Sequence, residues 1–196
     1  MQDQYIEGQT PLDLEEKLDL IPSIITREDL NAFEQENILQ ARSWVMRKNT
    51  LLKLDIFNEE FIKLLHKKMY DKVWKWAGKY RKSNKNIGVE YYTIAIALRE
   101  LLEDAKFWLQ HDTYCISDLA VIFHHRLVKI HLFANGNGRH ARLYADVIVF
   151  KYGGTKLSWG NNEALYKANQ VRTQYISALR VADKGDYKPL LEFSKS

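Results

Sequence analysis

Cysteine, proline and long apolar runs are all scarce in this 196-residue chain, and each scarcity removes a class of protein. The single cysteine, Cys115, excludes an internal disulfide and any cysteine-built zinc site. The three prolines, Pro11, Pro22 and Pro189, leave residues 23–188 without a proline break, which favours helices. No apolar run approaches the roughly 20 residues that a membrane-crossing helix needs, so no membrane role is expected. Met1-Gln2-Asp3-Gln4 lacks the basic-then-apolar pattern of a secretory leader, and a cytoplasmic location is the expectation. Internal repeats and low-complexity stretches are also missing. The excess charge is small, +4, and its basic residues are spread widely. The densest cluster, from Lys79 to Lys85, reads either as a solvated loop or as a lure for an acidic nucleotide or target. A nucleic-acid-binding domain is the least favoured reading; it predicts steeply salt-dependent affinity.

What is present describes a globular helical domain. Apolar residues make up 46% and charged residues 28% of the chain, ordinary values for one folded unit. Residues 1–25 read as an irregular lead-in and 26–196 as a single domain. Thr26, followed by Glu28 and Asp29, predicts a helix start, and that helix runs to about Lys48 with Leu30, Phe33, Ile38, Ala41 and Val45 on its apolar stripe. Asn58 predicts the cap of a helix over 59–76. From Gly78 to Tyr92, turn formers flanked by β-prone residues predict a short hairpin. Helices follow over 93–110, from a Ser117 cap to about His131, onward to about Tyr152 before Gly153-Gly154, from Asn161 or Asn162 to about Ala182, and from Asp186. The fold class is mainly α, with one small β-hairpin.

The most informative stretch is His131-Leu132-Phe133-Ala134-Asn135-Gly136-Asn137-Gly138-Arg139-His140-Ala141-Arg142, between two apolar helical segments within 117–152. Gly136 and Gly138 permit backbone conformations closed to other residues and let a ligand approach the main chain. The amides there open a helix, lack intrahelical partners and favour an anion. Arg139 and Arg142, three apart, share a helix face. Two guanidinium groups at a helix N-terminus make a phosphate site, and an imidazole at its rim is suited to proton transfer. Taken singly, each part has a plainer explanation: a capped helix-end histidine, a simple turn, solvated arginines. Their conjunction carries the reading.

These residues resemble the Fic motif, His-Pro-Phe-x-(Asp/Glu)-Gly-Asn-Gly-Arg-x-x-Arg, and within that superfamily the chain looks closest to the group called mobile mystery protein B. The resemblance implies a Fic-like helical bundle in which the hairpin at 78–92 is a target-docking flap, with Ile87 or Val89 clamping the target residue. It implies a protein adenylyltransferase using ATP and Mg²⁺. His131 would deprotonate a Ser, Thr or Tyr hydroxyl of a target protein. The backbone at Gly136, Asn137 and Gly138, with the Asn137 side chain, would hold the α- and β-phosphates, and Arg139 and Arg142 the terminal phosphates. An antitoxin-like partner is a further implication.

Two positions depart from that motif. Asn135 stands where an acid usually ligates magnesium, so the metal site is weakened and turnover with it. Leu132 replaces proline, which predicts a looser His131. The alternative function is therefore a catalytically weak nucleotide- or partner-binding module. The family also carries an inhibitory helix with the pattern (Ser/Thr)-x-x-x-Glu-(Gly/Asn). Glu36-Asn37, in the helix over 26–48, fits its last two positions, so Glu36 would face Arg142, with Glu34 as the fallback; solvated helix charges are the plain alternative. Phe133 reads as a core anchor, and His66, His124 and His125 as structural. Tyr166 and Asn169 are weaker candidates to approach adenine.

Overall fold

The computed structural model describes residues 11–23, 26–160 and 170–196. The described elements are α1 (Leu14–Leu18), α2 (Arg27–Val45), α3 (Lys48–Leu51), α4 (Glu59–Tyr70), a 3₁₀ turn (Tyr91–Thr93), α5 (Ile94–Gln110), α6 (Ile116–Ile130), α7 (Asn137–Tyr152), α8 (Gln170–Ala182) and α9 (Lys188–Lys195). The fold is mainly helical, as the sequence predicts. The expected helix start at Asn161 or Asn162, and Tyr166 and Asn169 with it, lie outside the described residues.

Local signals set several of these boundaries. The Thr26 hydroxyl accepts the Asp29 amide at 3.1 Å, and Glu28 and Asp29 lie where the helix dipole favours acids. Asn58 caps α4 by accepting the Phe61 amide at 2.7 Å. Gly153, in the left-handed region at φ 78°, closes α7.

α7 lies at the centre and buries most of its surface, including His140, Ala141, Tyr144, Ala145, Val147 and Ile148. It packs on α6, and α6 packs on α5; α2 lies on α4, and α8 on α9. The helix–loop–helix bearing the motif is thus packed against α4, α5 and α9, a rigid mount for a reactive loop.

Four expectations need correction. Residues 11–23 are not a wholly irregular lead-in: Asp13 and Glu16 form a reciprocal capping box that starts α1. α4 ends at Tyr70 rather than Trp76, because the following backbone is used elsewhere. The Val73 carbonyl accepts the Ile21 amide at 2.8 Å and the Lys75 amide donates to the Asp19 carbonyl at 2.9 Å, so the N-terminal arm competes with the helix ladder. Ser117 is not the cap of α6; Cys115 holds that position, and the Ser117 hydroxyl accepts the Thr155 amide at 2.8 Å.

The expected hairpin, fourth, is not formed. Among the described residues, 78–92 contain turns, bends and the 3₁₀ turn but no strand ladder. The Asn84 side chain explains this. Its oxygen accepts the Tyr91 amide at 2.9 Å and its nitrogen donates to the Glu90 carboxylate. One side chain thereby closes the loop with bonds that a cross-strand partner would otherwise supply.

Candidate functional site

The chain leaves α6 through His131, which adopts φ 59° and ψ 63°, the left-handed region. That conformation is uncommon for a residue with a side chain and costs of order 1–3 kcal/mol unless its surroundings hold it. Here they do. The Arg81 Nε donates to the His131 carbonyl at 2.7 Å, and the Arg81 amide donates to the Leu132 carbonyl at 3.0 Å. The looser histidine expected from Leu132 is therefore not found: Leu132 is buried and both carbonyls are fixed.

The loop beyond is tied to itself and to α4. Phe133 is fully buried and stacks on the His66 ring at 3.6 Å between centroids. The Asn137 side chain accepts the Phe133 amide at 2.9 Å and donates to the Phe133 carbonyl at 2.8 Å. The oxygen and one of the two N–H donors of that amide thus serve the loop, and Asn137 also lines a cavity. Gly136 is in the left-handed region at φ 80°, and a β-carbon there would come within 2.6 Å of the Tyr70 ring. Glycine is required on both counts. Gly138 has an ordinary backbone, and a β-carbon there would stand 3.6 Å from the Arg142 guanidinium, facing the cavity.

That cavity has a volume of about 870 Å³, within the range of sites for nucleotide-sized ligands. It brings together His131, the glycine turn, Arg139 and Arg142 from the motif, Glu34 from α2, Ile87 and Val89 from the 78–92 loop, and one face of α8. Ile87 is 41% exposed at its edge, whereas Val89 packs on the core. Arg172 and Arg180 of α8 add two guanidinium groups to the wall. The N-terminus of α7 opens into this space, a favourable seat for an anion.

Electrostatics keep His131 neutral. Burial lowers its pKa to about 4, and the Arg81 and Lys85 charges push the same way, against a hydrogen bond to the Val128 backbone. His124 is also held well below its ordinary value, by burial and then by Arg142 and His125. Its Nε2 lies 2.9 Å from the Tyr175 hydroxyl. The Tyr175 ring in turn lies under the Arg142 guanidinium, at 5.3 Å, so a buried series across α6, α8 and α7 orients Arg142.

In the expected inhibitory pair the acid is the fallback, Glu34, and its arginine is Arg139. Glu36 is exposed and accepts a hydrogen bond from Gln40 at 3.1 Å, one turn along its own helix. The acid that reaches the site is Glu34, 4% exposed, and it pairs with Arg139 at 2.5 Å rather than with Arg142. Its other oxygen accepts the Trp74 indole N–H at 2.7 Å. The helical period explains the exchange. Leu30, Glu34, Ile38, Ala41 and Val45 share the buried face of α2, and position 36 points outward.

At the position expected to ligate magnesium, the side chain is turned into its own loop. The Asn135 side-chain oxygen accepts the Gly136 amide at 2.5 Å and carries no charge. Among the described residues, no group of three or more His, Cys, Asp or Glu is placed to hold a metal ion. Among those residues also, no helix is long and apolar enough to cross a membrane.

Sequence reading alone did not identify Arg81, Trp74, Gly88 or Tyr175 as site residues. Arg81 and Lys85 fell within a basic cluster that reads either as a solvated loop or as a lure for an acidic nucleotide or target, yet Arg81 is 3% exposed. The Lys85 ammonium is held by Glu16 at 2.6 Å and Asp13 at 3.2 Å. The signal was the company of Arg81: aromatic and turn residues on both sides, unlike a solvated charge run.

Residues 56–149 match the family model described as Fic/DOC family. The chain is 29% identical over 120 residues to protein adenylyltransferase fic-1 of Caenorhabditis briggsae, covering 60% of this chain and 22% of that protein. It is 27% identical over 119 residues to protein adenylyltransferase Fic of Drosophila mojavensis, covering 59% and 22%. The matched region thus spans about a fifth of the length of these relatives. Among solved structures, the fold is similar to Bartonella tribocorum BepC, a VirB-translocated effector with bound AMPPNP (TM-score 0.69, 14% identity, 93% of this chain and 97% of that one). It is also similar to Caenorhabditis elegans Fic-1 (TM-score 0.65, 22% identity, 93% and 52%). The histidine, the glycine turn and both motif arginines all lie inside the segment that matches the Fic/DOC family.

Proposed function

We propose that the protein transfers AMP from ATP to a hydroxyl side chain of a target protein. The observation that carries this reading is the position of His131: a buried, neutral imidazole at a fixed helix end, opening on a cavity that also holds a helix N-terminus and two guanidinium groups. The name those relatives bear, protein adenylyltransferase, and the nucleotide analogue bound to BepC support the same substrate class.

In this mechanism the triphosphate lies along the glycine turn. The backbone amides at the start of α7 hold its inner phosphates, and Arg139 and Arg142 hold the outer ones. A target hydroxyl approaches past Ile87 and Val89. His131, uncharged at neutral pH, accepts the hydroxyl proton as the oxygen attacks the α-phosphorus. The bond from the α-phosphorus to the bridging oxygen breaks, and pyrophosphate leaves with that electron pair. General-base assistance of this kind contributes about 10²- to 10⁴-fold. Any magnesium arrives with the nucleotide, and no step here depends on a protein-held metal.

The resting protein is autoinhibited in this reading. Glu34 occupies one side of Arg139, and a carboxylate there competes with a phosphate for the same guanidinium. The neutral Asn135, whose oxygen is turned into its own loop, favours a second reading: a nucleotide-binding module of feeble turnover. Incubation with ATP labelled at the α-phosphate separates the two. Label on protein, absent with His131→Ala, supports transfer; bound nucleotide with no covalent label supports the module.

A further inference from the structure

The interior of the 78–92 loop holds a charged group that the proposed chemistry leaves without a role. Arg81 is 3% exposed, and its guanidinium meets backbone carbonyls rather than a carboxylate: Nη1 donates to Ser83 at 2.8 Å, Nη2 to Val89, and Nε to His131 at 2.7 Å. Its main-chain N–H adds the Leu132 carbonyl. One residue therefore joins both ends of the loop to the two residues that follow α6.

A second feature tightens this arrangement. Gly88 has φ +102°, and a β-carbon there would come within 2.6 Å of the His131 β-carbon and 3.0 Å of the Arg81 guanidinium. The loop backbone thus lies directly against both residues. The Val89 amide donates to the Ile130 carbonyl at 3.4 Å, so the last residue of α6 is bonded to the loop as well.

We infer that Arg81 is a positioning residue that locks the 78–92 loop to the backbone of His131, fixing together the imidazole and the edge past which a target would enter. This rests on the reading of His131 as the base. The argument is geometric. A planar guanidinium with five fixed N–H directions can satisfy three carbonyls at once. A lysine keeps the charge but offers a compact ammonium, and it cannot span the same three acceptors. A buried cation with three of its five donors on main-chain carbonyls fixes backbone, which is what a left-handed histidine needs.

The test has two arms. In the first, native-state hydrogen exchange is measured on the unmodified protein and on Arg81→Lys. In the unmodified protein the Arg81 and Val89 amides should be protected and open together, as one cooperative unit. An unprotected Val89 amide beside a protected Arg81 amide would overturn the lock without any variant being made. In Arg81→Lys, exchange at Val89 should accelerate by at least about ten-fold while α7 amides keep their protection; unchanged exchange overturns the proposal. In the second arm, AMP transfer by Arg81→Lys should fall about 100-fold, as for a misplaced reacting group, with nucleotide affinity within about three-fold of the parent. Added guanidinium ion should partly restore an Arg81→Ala protein. Equal loss of affinity and rate, or a full rate in Arg81→Lys, overturns the positioning role. The exchange arm needs no turnover, so a protein that is locked but transfers nothing refutes the proposed activity instead.

Discussion

Glu34 and Arg139 form an ion pair at 2.5 Å across 105 positions of sequence, with the acid 4% exposed and anchored from behind by the Trp74 indole. A charge-assisted bond of this kind contributes about 1.5–3 kcal/mol. If it competes with a nucleotide phosphate, Glu34→Gln raises ATP affinity or self-labelling by about 10- to 100-fold. Glu36→Gln leaves both unchanged, because that side chain is exposed and bonded to Gln40. Titration of each variant with ATP, followed by a self-labelling assay, checks the pair. Equal behaviour of the two variants would remove Glu34 from any regulatory role.

The choice between those glutamates shows what one sequence can and cannot reveal. The motif was legible because twelve contiguous positions carry its chemistry. The helical class was legible from caps such as Thr26 and Asn58 and from the lack of interior prolines. The rotation of α2 was legible in principle, since Leu30, Ile38, Ala41 and Val45 define a face that includes position 34 and excludes 36. Phe33 blurred it: a large apolar residue that the structure leaves 49% exposed. The bonds of Arg81, Trp74 and Tyr175 to distant segments follow from tertiary packing, for which local pattern gives no signal. The hairpin failed for the opposite reason, because β-prone residues at 89–92 were outweighed by the bonds of one asparagine.

Acid should act on the protein through its buried histidines. The folded-state pKa is about 4 for His131 and about 3 for His140, and it is well below the ordinary value for His66 and His124; burial is the first cause in each case. A depressed folded pKa means that the unfolded chain binds more protons. The stability contribution is whole above about pH 6.5 and is lost as pH falls toward the folded values. The melting temperature should therefore be flat from pH 8 to about 7 and decline from about pH 6 downward. Transfer by the free enzyme should keep its acidic limb near the low His131 value, not near 6.5. A kcat/KM limb at about 6.5 would show that His131 is more solvated than the structure has it.

Gly88→Ala tests the close approach over His131. The added methyl meets the His131 β-carbon at 2.6 Å in a backbone conformation that side chains rarely adopt. Strain of about 1–3 kcal/mol follows, relieved by lifting the loop. Transfer should fall by about ten-fold or more while the far-ultraviolet circular dichroism is unchanged. Full activity would mean that the loop need not lie on the histidine.

Tyr175→Phe tests the buried series behind Arg142. It removes the hydroxyl 2.9 Å from the His124 Nε2 and leaves that buried nitrogen without its partner. The cost should be about 1–3 kcal/mol, a drop of several degrees in melting temperature for a chain of this size. Nucleotide affinity should weaken as Arg142 loses its neighbour. An unchanged melting temperature would show that water or another group replaces the hydroxyl.

The most direct measurement is the intact mass of the Glu34→Gln protein after incubation with ATP, alone and with cell extract as a source of targets, beside the same protein carrying His131→Ala. The account predicts an added mass equal to one adenylyl group on the chain or on a target, abolished by the histidine change. A phosphoryl increment, an adenylyl increment that survives His131→Ala, or bound ATP with no covalent product would contradict it.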